Sequence, residues 1–382
     1  MCNLLVDLDP ADGSAQRPSQ GFQKVASLTR AGSLPVTDDP DVPTSDFDYE
    51  LPKHMIAQAP LEPRDSSRLL VLYRNDGRIE HRVFRDLGEL LRKSDLLVLN
   101  QTRVIPARIY GRKPTGGRVE LLLIRKQDDT SWQVLVGAKG MQVGRTVVIS
   151  PGLSAQIIED LGGSERLVRF TSPVEGHLGK VGEMPLPPYI HQRLDDPERY
   201  QTVYSRSPGS AAAPTAGLHF TPQLLERLDR EGIERAFVTL HVGLDTFAPV
   251  MEADAARHKI HTEWCDVPLE AACAINRARD RGGRVIAVGT TSVRALESVV
   301  RHSCLGRFPR IVPYSGDTDL YILPGYEFRL VNAMITNFHL PRSTLLMLVG
   351  AFAGRELVLH TYEIAKREGY RFYSFGDAML IL

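Results

Sequence analysis

The chain has 382 residues, 43% hydrophobic and 24% charged, a composition typical of a globular protein long enough for two domains or for one domain with an insertion. Basic and acidic side chains both number 46, so no overall positive field attracts nucleic acid, and an RNA partner would need a local basic patch. The most apolar segment, LLMLVGAFAG, is too short to span a bilayer, and the N-terminus lacks the basic start and apolar core of a secretory signal. We therefore expect a cytoplasmic protein without a membrane partner.

The cysteines and the neighbouring histidines argue against a metal site. The four cysteines show no CxxC pair and no repeating spacing, which favours a reducing cytosol over structural zinc or a disulfide framework. The segment ARHKIHTEW places His258 and His261 three residues apart, and with His241 they form neither HExxH nor a group with a thiolate pair. We expect no bound metal.

Composition separates an N-terminal extension from the first strands. Residues 1–45 are rich in Asp, Pro, Gly and Ser and poor in aromatic side chains, so we predict a disordered extension. Order is predicted to begin with a short amphipathic turn at 54–58 and a strand at 68–73. A buried strand at 96–99 then leads into a polar break at 100–102.

From about residue 104 to residue 180 the pattern changes to short strand-like runs separated by Gly, Asp and Pro. The runs are RVELLLIRK, SWQVLVGAKG, RTVVIS, LSAQIIED and ERLVRFTS. Several short strands at close spacing predict a small barrel or sandwich. Because α/β patterning resumes afterwards, we predict an all-β barrel domain at 104–180, inserted into a larger domain formed by 46–103 and 181–382.

The larger domain alternates strands and helices, which predicts helices packed on a mixed, partly parallel sheet and places the chain in the α/β class. The predicted helices cover 222–231, 268–281, a segment from about 292, 342–354 and 356–368. The predicted strands cover 236–241, 284–288 and 333–336.

Four polar segments lie at or near the ends of these strands, where α/β sheets gather their ligands. They are PTAGLHFT (214–221), TLHVGLDTF (239–247), AVGTTSVRALES (287–298) and ITNFHLPRSTLLM (335–347). If these joints share one end of the sheet, they form a single polar site. The side chains that would converge are His219, His241, Thr290, Thr291, Ser292, Arg294, Asn337 and His339.

Each joint also has a purely structural interpretation. The small residues at 211–217 allow close approach to a ligand, but they also suit a tight loop packed on a strand with His219 hydrogen-bonded in the core. The hydroxyls after Gly289 suit an anion or only a well-capped helix, and neither a Walker A loop nor GxGxxG is present. His339 lies in a loop stiffened by Pro341, and an unperturbed histidine, with a pKa of about 6.5, suits acid–base catalysis; a core or capping role is the alternative.

The segment RVIPARIYGRKPTGGR (103–118) is the one local basic cluster in a neutral chain, and it contains Arg103, Arg108 and Arg112. Basic residues interleaved with Gly and Tyr suit a phosphate backbone, whereas a solvated strand edge guarded by charge is the alternative. Arg64 and Asp65, in a charged run among prolines, form either an ordinary turn or part of an anion site.

These segments, in order along the chain, resemble the S-adenosylmethionine:tRNA ribosyltransferase-isomerase family. The blocks are LEPRDSSRLLVL, TRVIPAR, LPPYI, ERYQTVY, AAPTAGLHFT, TLHVG, VGTTSVRALES, TNFHLPRSTLLMLV and SFGDAMLI, and the resemblance covers residues 47–382. It implies an α/β catalytic domain with an inserted β-barrel. It also implies transfer and isomerisation of the ribosyl moiety of S-adenosylmethionine onto 7-aminomethyl-7-deazaguanine at the tRNA wobble position, giving epoxyqueuosine, adenine and methionine.

The resemblance further implies roles for the candidate residues. S-adenosylmethionine would be a co-substrate, with no permanently bound cofactor, and we expect a monomer. Acid–base catalysis would come from His219, His241 or His339. The residues expected to bind S-adenosylmethionine are Thr215, Gly217, Thr290, Thr291, Ser292, Arg294 and Asn337. The residues expected to bind the tRNA substrate are Arg64, Asp65, Arg103, Arg108 and Arg112.

Two positions depart from the family pattern. Gln101 stands where an Asn-Asp-Thr segment often has its carboxylate, and Asp245 stands where a glycine is common. A carboxylate role at 101 therefore does not carry over. Two rival functions are an S-adenosylmethionine methyltransferase, which lacks the support of a glycine-rich loop, and a catalytically silent RNA-binding protein. Release of adenine would separate the implied reaction from both.

Overall fold

Two β-structures organise the chain, a mixed sheet and an antiparallel barrel. The computed structural model describes residues 41–192, 194–243, 249–303 and 310–382, and the elements below are those of these segments. The strands are β1 (Arg68–Tyr73), β2 (Arg78–Val83), β3 (Leu96–Asn100), β4 (Thr102–Val104), β5 (Arg108–Arg112), β6 (Arg118–Lys126), β7 (Ser131–Val136), β8 (Thr146–Ser150), β9 (Leu153–Gly162), β10 (Glu165–Phe170), β11 (Gly182–Glu183), β12 (Ser207–Ser210), β13 (Glu234–Leu240), β14 (Glu263–Val267), β15 (Val285–Val288), β16 (Tyr314–Thr318), β17 (Ala333–Asn337) and β18 (Ala378–Ile381). The α-helices are α1 (Leu87–Leu90), α2 (Leu178–Val181), α3 (Pro222–Arg230), α4 (Leu269–Asp280), α5 (Thr290–His302), α6 (Thr344–Ala353) and α7 (Arg355–Arg367).

The mixed sheet has nine strands in the described segments, in the order β16-β14-β13-β3-β15-β17-β18-β1-β2. Its four central strands, β13, β3, β15 and β17, run parallel to one another. β18 is antiparallel to β17 and parallel to β1, so β18 and β1 begin at the edge where the four parallel strands end. One edge of the sheet therefore carries the carboxyl ends of the four parallel strands together with the starts of β18 and β1.

Alternate residues of the central strands face two separate cores, as the two-residue period of a strand requires. In β3, Leu96 and Val98 belong to the core that also contains apolar residues of α4 to α7. Leu97 and Leu99 belong to the opposite core, with Phe84 and α3. Because both faces are covered, the strand is apolar throughout, which is why its sequence predicted a buried strand.

The predicted amphipathic helix after Thr221 is present as α3. The Thr221 hydroxyl accepts a hydrogen bond from the Leu224 N–H at 3.1 Å, Pro222 occupies the first turn, and Leu225 and Leu228 are buried with Leu224. An N-cap hydroxyl satisfies one of the free amides of the first turn, so this helix begins where the capping pattern predicted.

The barrel closes in the order β5-β6-β7-β10-β9-β8, because β8 pairs with β5 at Val148 and Arg112. Five of its strands match the five predicted runs, whereas β5 lies in the basic segment that was predicted only as a strand edge or a phosphate-binding segment. Its interior is packed with apolar side chains such as Leu121, Trp132 and Ile157. The fold class is confirmed, and the boundaries at 104 and 180 stay a prediction.

The barrel joins the sheet through β4 and β12, which pair in parallel, so the two chain crossings lie side by side. At the N-terminal side, the predicted extension is ordered in its last residues, since Pro43 bridges to Asp254 and Thr44 is buried. Of the described helices, none alone has the length and apolarity to cross a membrane. The pair α6 and α7 reaches that length only together, bent by 111°.

Candidate active site

The carboxyl ends of β3, β13, β15 and β17 meet at one edge of the sheet, so the predicted joints converge there. The loop before α3 reaches the same edge, because Ala212 bridges to Val242 and the Thr215 hydroxyl donates to Asn337 Oδ1 at 2.9 Å. These segments line one narrow cleft. The lining residues are Ala213, Pro214, Thr215, Ala216, Val242, Gly289, Thr290, Thr291, Thr336, Asn337, His339 and Leu345.

The small residues of the loop before α3 serve two different needs. Ala213, Pro214 and Ala216 line the cleft and leave its volume open. Gly217 points away from the cleft, and a Cβ at this position would lie 2.0 Å from the Tyr204 hydroxyl oxygen. Gly217 is therefore required by close packing, and it is not among the lining residues.

Replacing Gly217 with Ala is expected to lower the free energy of unfolding by about 1–3 kcal/mol, the usual cost of overpacking. The Tyr204 hydroxyl has no hydrogen-bond partner in the described segments, so adding Tyr204→Phe relieves the closest contact without breaking a bond and should recover part of the loss. Urea unfolding measures both variants. Gly176→Ala is the control, because a Cβ there meets nothing within 4 Å. A Gly217→Ala protein as stable as the parent would contradict this account.

His219 lies behind the cleft in a buried chain of hydrogen bonds. The ring stacks on Phe84, with Ser67 Oγ 2.7 Å from Nδ1 and Asn337 Nδ2 3.2 Å from Nε2. Because Asn337 Oδ1 accepts from Thr215, its Nδ2 is the donor, so Nε2 accepts and the Nδ1–H donates to Ser67. Burial lowers the pKa of His219 to about 4. Both ring nitrogens of this neutral imidazole are thus occupied, which matches the structural alternative considered for this residue.

His339 lines the cleft directly. Its side chain is 4% exposed, and its backbone N–H donates to the Tyr362 hydroxyl at 3.0 Å, which fixes the loop. Nε2 lies 2.8 Å from Thr336 Oγ1, and the ring has no second hydrogen-bond partner among the described residues. Burial lowers the pKa of His339 to about 3, so the imidazole is neutral near pH 7. Burial therefore makes this ring a weak base and would make its imidazolium a strong acid.

His241 follows β13 at the same edge of the sheet but is not one of the cleft-lining residues. Its Nδ1 lies 2.8 Å from Thr102 Oγ1, and its ring stacks on Trp264. A Cβ on Gly209 would lie 2.8 Å from Nε2, so the ring is packed against β12. Burial lowers the pKa of His241 to about 4. The side chain of Asn100 holds the end of β13 before His241, because it forms hydrogen bonds with the backbone N–H and C=O of Leu240.

The first turns of α5 present their polar side chains in different directions. Thr290 and Thr291 line the cleft, and the Thr291 hydroxyl is buried without a hydrogen-bond partner in the described segments. Ser292 is turned inward, since its hydroxyl donates to the Val288 carbonyl at 2.7 Å. Arg294 is buried in an ion pair with Glu263 and lines a neighbouring cavity. Of the α5 residues predicted to bind S-adenosylmethionine, two line the cleft, Arg294 lines the neighbouring cavity, and Ser292 lines neither.

The arginines and the carboxylate predicted to hold substrate near the N-terminal motif are bound within the protein. Arg64 donates to two backbone carbonyls of the segment 198–201, at 2.6 and 2.9 Å, and Arg103 pairs with a carboxylate of the same segment. Asp65 accepts from the Thr221 hydroxyl at 2.8 Å. These side chains hold the connection between the barrel and α3 beside the cleft.

The remaining predicted basic residues lie on the barrel. Arg108 forms an ion pair with Glu120 at 3.0 Å. Arg112 is exposed and donates to the Gly116 carbonyl at 3.2 Å, and Arg118 is exposed and stacks over Tyr110. Within the described segments, Arg112 and Arg118 have no carboxylate partner. The basic hairpin β5–β6 thus presents free positive charge at its tip.

The sequence did not single out Val242, Thr336 and Leu345, which line the cleft, or Ser67 and Asp377, which lie near His219 behind it. Asp377 precedes β18 and accepts the backbone N–H groups of Arg68 and Arg371 at 3.0 and 2.8 Å. Ser67 and Asp377 stand in two of the motif blocks, LEPRDSSRLLVL and SFGDAMLI, which was the available signal. The departure at Asp245 lies outside the described residues.

Comparisons with known proteins agree with the motif pattern. A sequence profile described as "Queuosine biosynthesis protein" matches residues 44–381. Proteins named S-adenosylmethionine:tRNA ribosyltransferase-isomerase from Symbiobacterium thermophilum and Desulfitobacterium hafniense are 53% and 54% identical, and each match covers 88% of this chain and 99% of the relative. A crystal structure of S-adenosylmethionine tRNA ribosyltransferase from Thermotoga maritima is 42% identical, with a TM-score of 0.52, over 88% of this chain and 100% of that chain. The predicted membership is confirmed: this chain belongs to the queuosine biosynthesis protein family, as a transferase and isomerase.

Proposed function

We propose that this chain transfers and isomerises the ribosyl moiety of S-adenosylmethionine onto 7-aminomethyl-7-deazaguanine at the wobble position of tRNA, giving epoxyqueuosine and releasing adenine and methionine. The relatives' shared name supports the two substrates, S-adenosylmethionine and tRNA. The observation that carries the proposal is the single cleft formed by distant segments, whose walls combine small residues, hydroxyls, an amide and a neutral imidazole. Such a site suits a nucleoside better than an extended polymer.

The nucleoside part of S-adenosylmethionine occupies this cleft. Ala213 and Ala216 leave space for a flat base, and Thr291 offers a hydroxyl that has no partner in the described protein. Thr290 and Thr291 also begin α5, whose free N–H groups favour electron-rich ligand atoms. Asn337 is held in one orientation by its bonds to Thr215 and His219, so its position is fixed before substrate arrives.

Acid–base chemistry follows from the state of His339. The sulfonium of S-adenosylmethionine makes the neighbouring C5′ protons acidic, and the imidazole at the wall of the cleft is the group placed to receive one, although burial makes it a weak base. Burial that disfavours the imidazolium makes it a strong donor once formed, so the same ring returns a proton to the departing adenine. The aminomethyl group of the tRNA base is the nucleophile. His241 is the alternative acid–base residue, and His219 is a positioning residue that acts through Asn337.

The test is incubation of the purified protein with S-adenosylmethionine and tRNA carrying the precursor base. The expected products are adenine and methionine in equal amounts, together with tRNA that has gained the modified ribosyl group. Formation of S-adenosylhomocysteine would instead identify a methyltransferase. Binding of the tRNA without release of adenine would identify an RNA-binding protein without catalysis.

Charge reversal at the hairpin tip is expected to weaken tRNA binding. The proposed contact is between the tRNA phosphates and Arg112 and Arg118, two exposed arginines of the hairpin that have no carboxylate partner in the described structure. Each lost phosphate contact should reduce the slope of log affinity against log salt by about 1. Fluorescence titration of Arg112→Glu/Arg118→Glu at several salt concentrations measures this slope.

Two comparisons sharpen the measurement. Arg329→Glu reverses an exposed charge on the sheet domain and should leave the slope unchanged. Arg108→Glu should change the salt slope less than the double reversal at Arg112 and Arg118, because Arg108 is already neutralised by Glu120. If the double reversal binds tRNA as the parent protein does at every salt concentration, the hairpin is not the contact.

A further inference from the structure

A second cavity lies beside the nucleoside cleft, and Leu345 lines both. The two spaces also share α5, because Thr290 and Thr291 face the first while Arg294, one turn later, faces the second. The lining residues of the second cavity are His258, Ile260, His261, Glu263, Arg294, Leu320, Tyr321, Ile322, Thr344, Leu345 and Leu348.

Arg294 is the unusual feature of this second cavity. Its side chain is buried, one terminal nitrogen pairs with Glu263, and Nε donates to the Leu320 carbonyl at 3.0 Å. The other terminal nitrogen, Nη2, is buried and has no hydrogen-bond partner in the described segments. A buried guanidinium N–H without an acceptor is rare in folded proteins, so this nitrogen points to a ligand acceptor.

The walls around Nη2 define the ligand's chemistry. A guanidinium and the Glu263 carboxylate stand together, so the cavity presents both signs of charge with nearly zero net charge. Leu320, Ile322 and Leu348 supply an apolar surface next to them. A short aliphatic chain that ends in an α-amino acid zwitterion matches this combination, whereas a phosphate would meet the Glu263 carboxylate unfavourably.

We propose that this cavity binds the methionyl end of S-adenosylmethionine, with Arg294 Nη2 donating to its α-carboxylate and Glu263 facing its ammonium group. The inference rests on the proposed function, which places the nucleoside in the adjoining cleft. The sulfonium then lies at the junction near Leu345, between the two spaces, and the acidic C5′ position lies on the side of His339. Arg294 thereby sets which sulfonium compounds are accepted.

The test compares three ligands by calorimetric titration: S-adenosylmethionine, its decarboxylated analogue, and 5′-methylthioadenosine, which lacks the amino acid. Wild-type protein should bind S-adenosylmethionine about 10- to 100-fold more tightly than the decarboxylated analogue, as expected for a hydrogen bond between charged groups. This measurement needs no variant. Equal affinity for the two compounds would overturn the assignment.

The matched variant is Arg294→Gln combined with Glu263→Gln, because removing Arg294 alone leaves a buried carboxylate without its ion-pair partner. In this double variant the preference for the carboxylate should fall to within about threefold, and affinity for 5′-methylthioadenosine should stay within about threefold of wild type. Arg301→Gln, an exposed arginine on the same helix, should keep the full preference. A double variant that retains the preference would assign the ion pair a structural role only.

These outcomes distinguish the proposed function from the assignment of the second cavity. Wild-type protein that releases adenine but does not discriminate between the two sulfonium compounds would leave the proposed function standing and remove the assignment of the second cavity. Wild-type protein that does not bind S-adenosylmethionine at all would overturn both.

Discussion

Replacing His339 with Asn is expected to reduce the rate of adenine release by about 10²- to 10⁴-fold, the usual contribution of a general acid or base. Asparagine removes the Nε2 contact to Thr336 but keeps the backbone bond to Tyr362, so the loop and the affinity for S-adenosylmethionine should be preserved to within a few-fold. Single-turnover release of adenine, measured with saturating tRNA, reports the chemical step directly. Burial lowers the pKa of His339 to about 3, so we expect no loss of rate near pH 6.5 from protonation of this ring.

The comparison variants decide between the three histidines. His360→Asn, on the exposed face of α7, is the control and should retain the parent rate. His241→Asn should retain most activity if His339 is the acid–base residue. Loss of activity in His241→Asn, with activity retained in His339→Asn, would assign the role to His241. His219→Asn should weaken substrate binding more than the chemical step, since His219 acts by orienting Asn337. Full activity in His339→Asn would discard this acid–base role.

Lowering the pH from 7.5 to 5 is expected to remove about 4 kcal/mol of stability through His219 and His339 together. Burial lowers their folded-state pKa values to about 4 and about 3, below the value of about 6.5 in an unfolded chain. The unfolded state therefore binds more protons between these values. This stability is fully present above pH 6.5 and is lost as the pH falls through 6.5 towards the folded values, at about 2 kcal/mol per histidine by pH 5.

Urea unfolding at pH 7.5 and pH 5 measures the effect. Other groups titrate in the same range, so the informative quantity is the difference between the parent protein and His219→Asn/His339→Asn. The double variant should be less stable at pH 7.5, because buried hydrogen bonds are altered, but its loss on acidification should be smaller by about 4 kcal/mol. Equal losses in both proteins would show that these imidazoles are not kept neutral by burial.

Elements with a strong local pattern could be predicted from the sequence. β3 is apolar on both faces, α3 carries a capping residue before an amphipathic stretch, and the strands of the barrel are separated by turn residues. β14 and β16 were missed because EWCDV and YSGDT are short and mix polar with apolar residues. Their pairing with each other and with β13 stabilises them, and that pairing is not visible in either segment alone.

The site was predictable to the extent that parallel strands end at a common edge. Side-chain direction was not predictable, which is why Ser292 and Gly217 were grouped with residues that line the cleft. The partners of charged residues were also hidden, because Arg103 and Arg294 pair with Glu198 and Glu263, which are distant in the sequence. Such pairs depend on tertiary packing, so a basic segment in the sequence overstates the free positive charge on the surface.

The position of β18 limits the order in which the strands of the sheet can pair during synthesis. This strand lies inside the sheet, between β17 and β1, although its residues are translated last among the nine strands. Until β18 has been synthesised, β1 and β17 each lack one neighbour, and unpaired strand edges favour association between nascent chains. This edge of the sheet can therefore be completed only after β18 has been synthesised, and folding of this enzyme should depend on protection of those two strands until then.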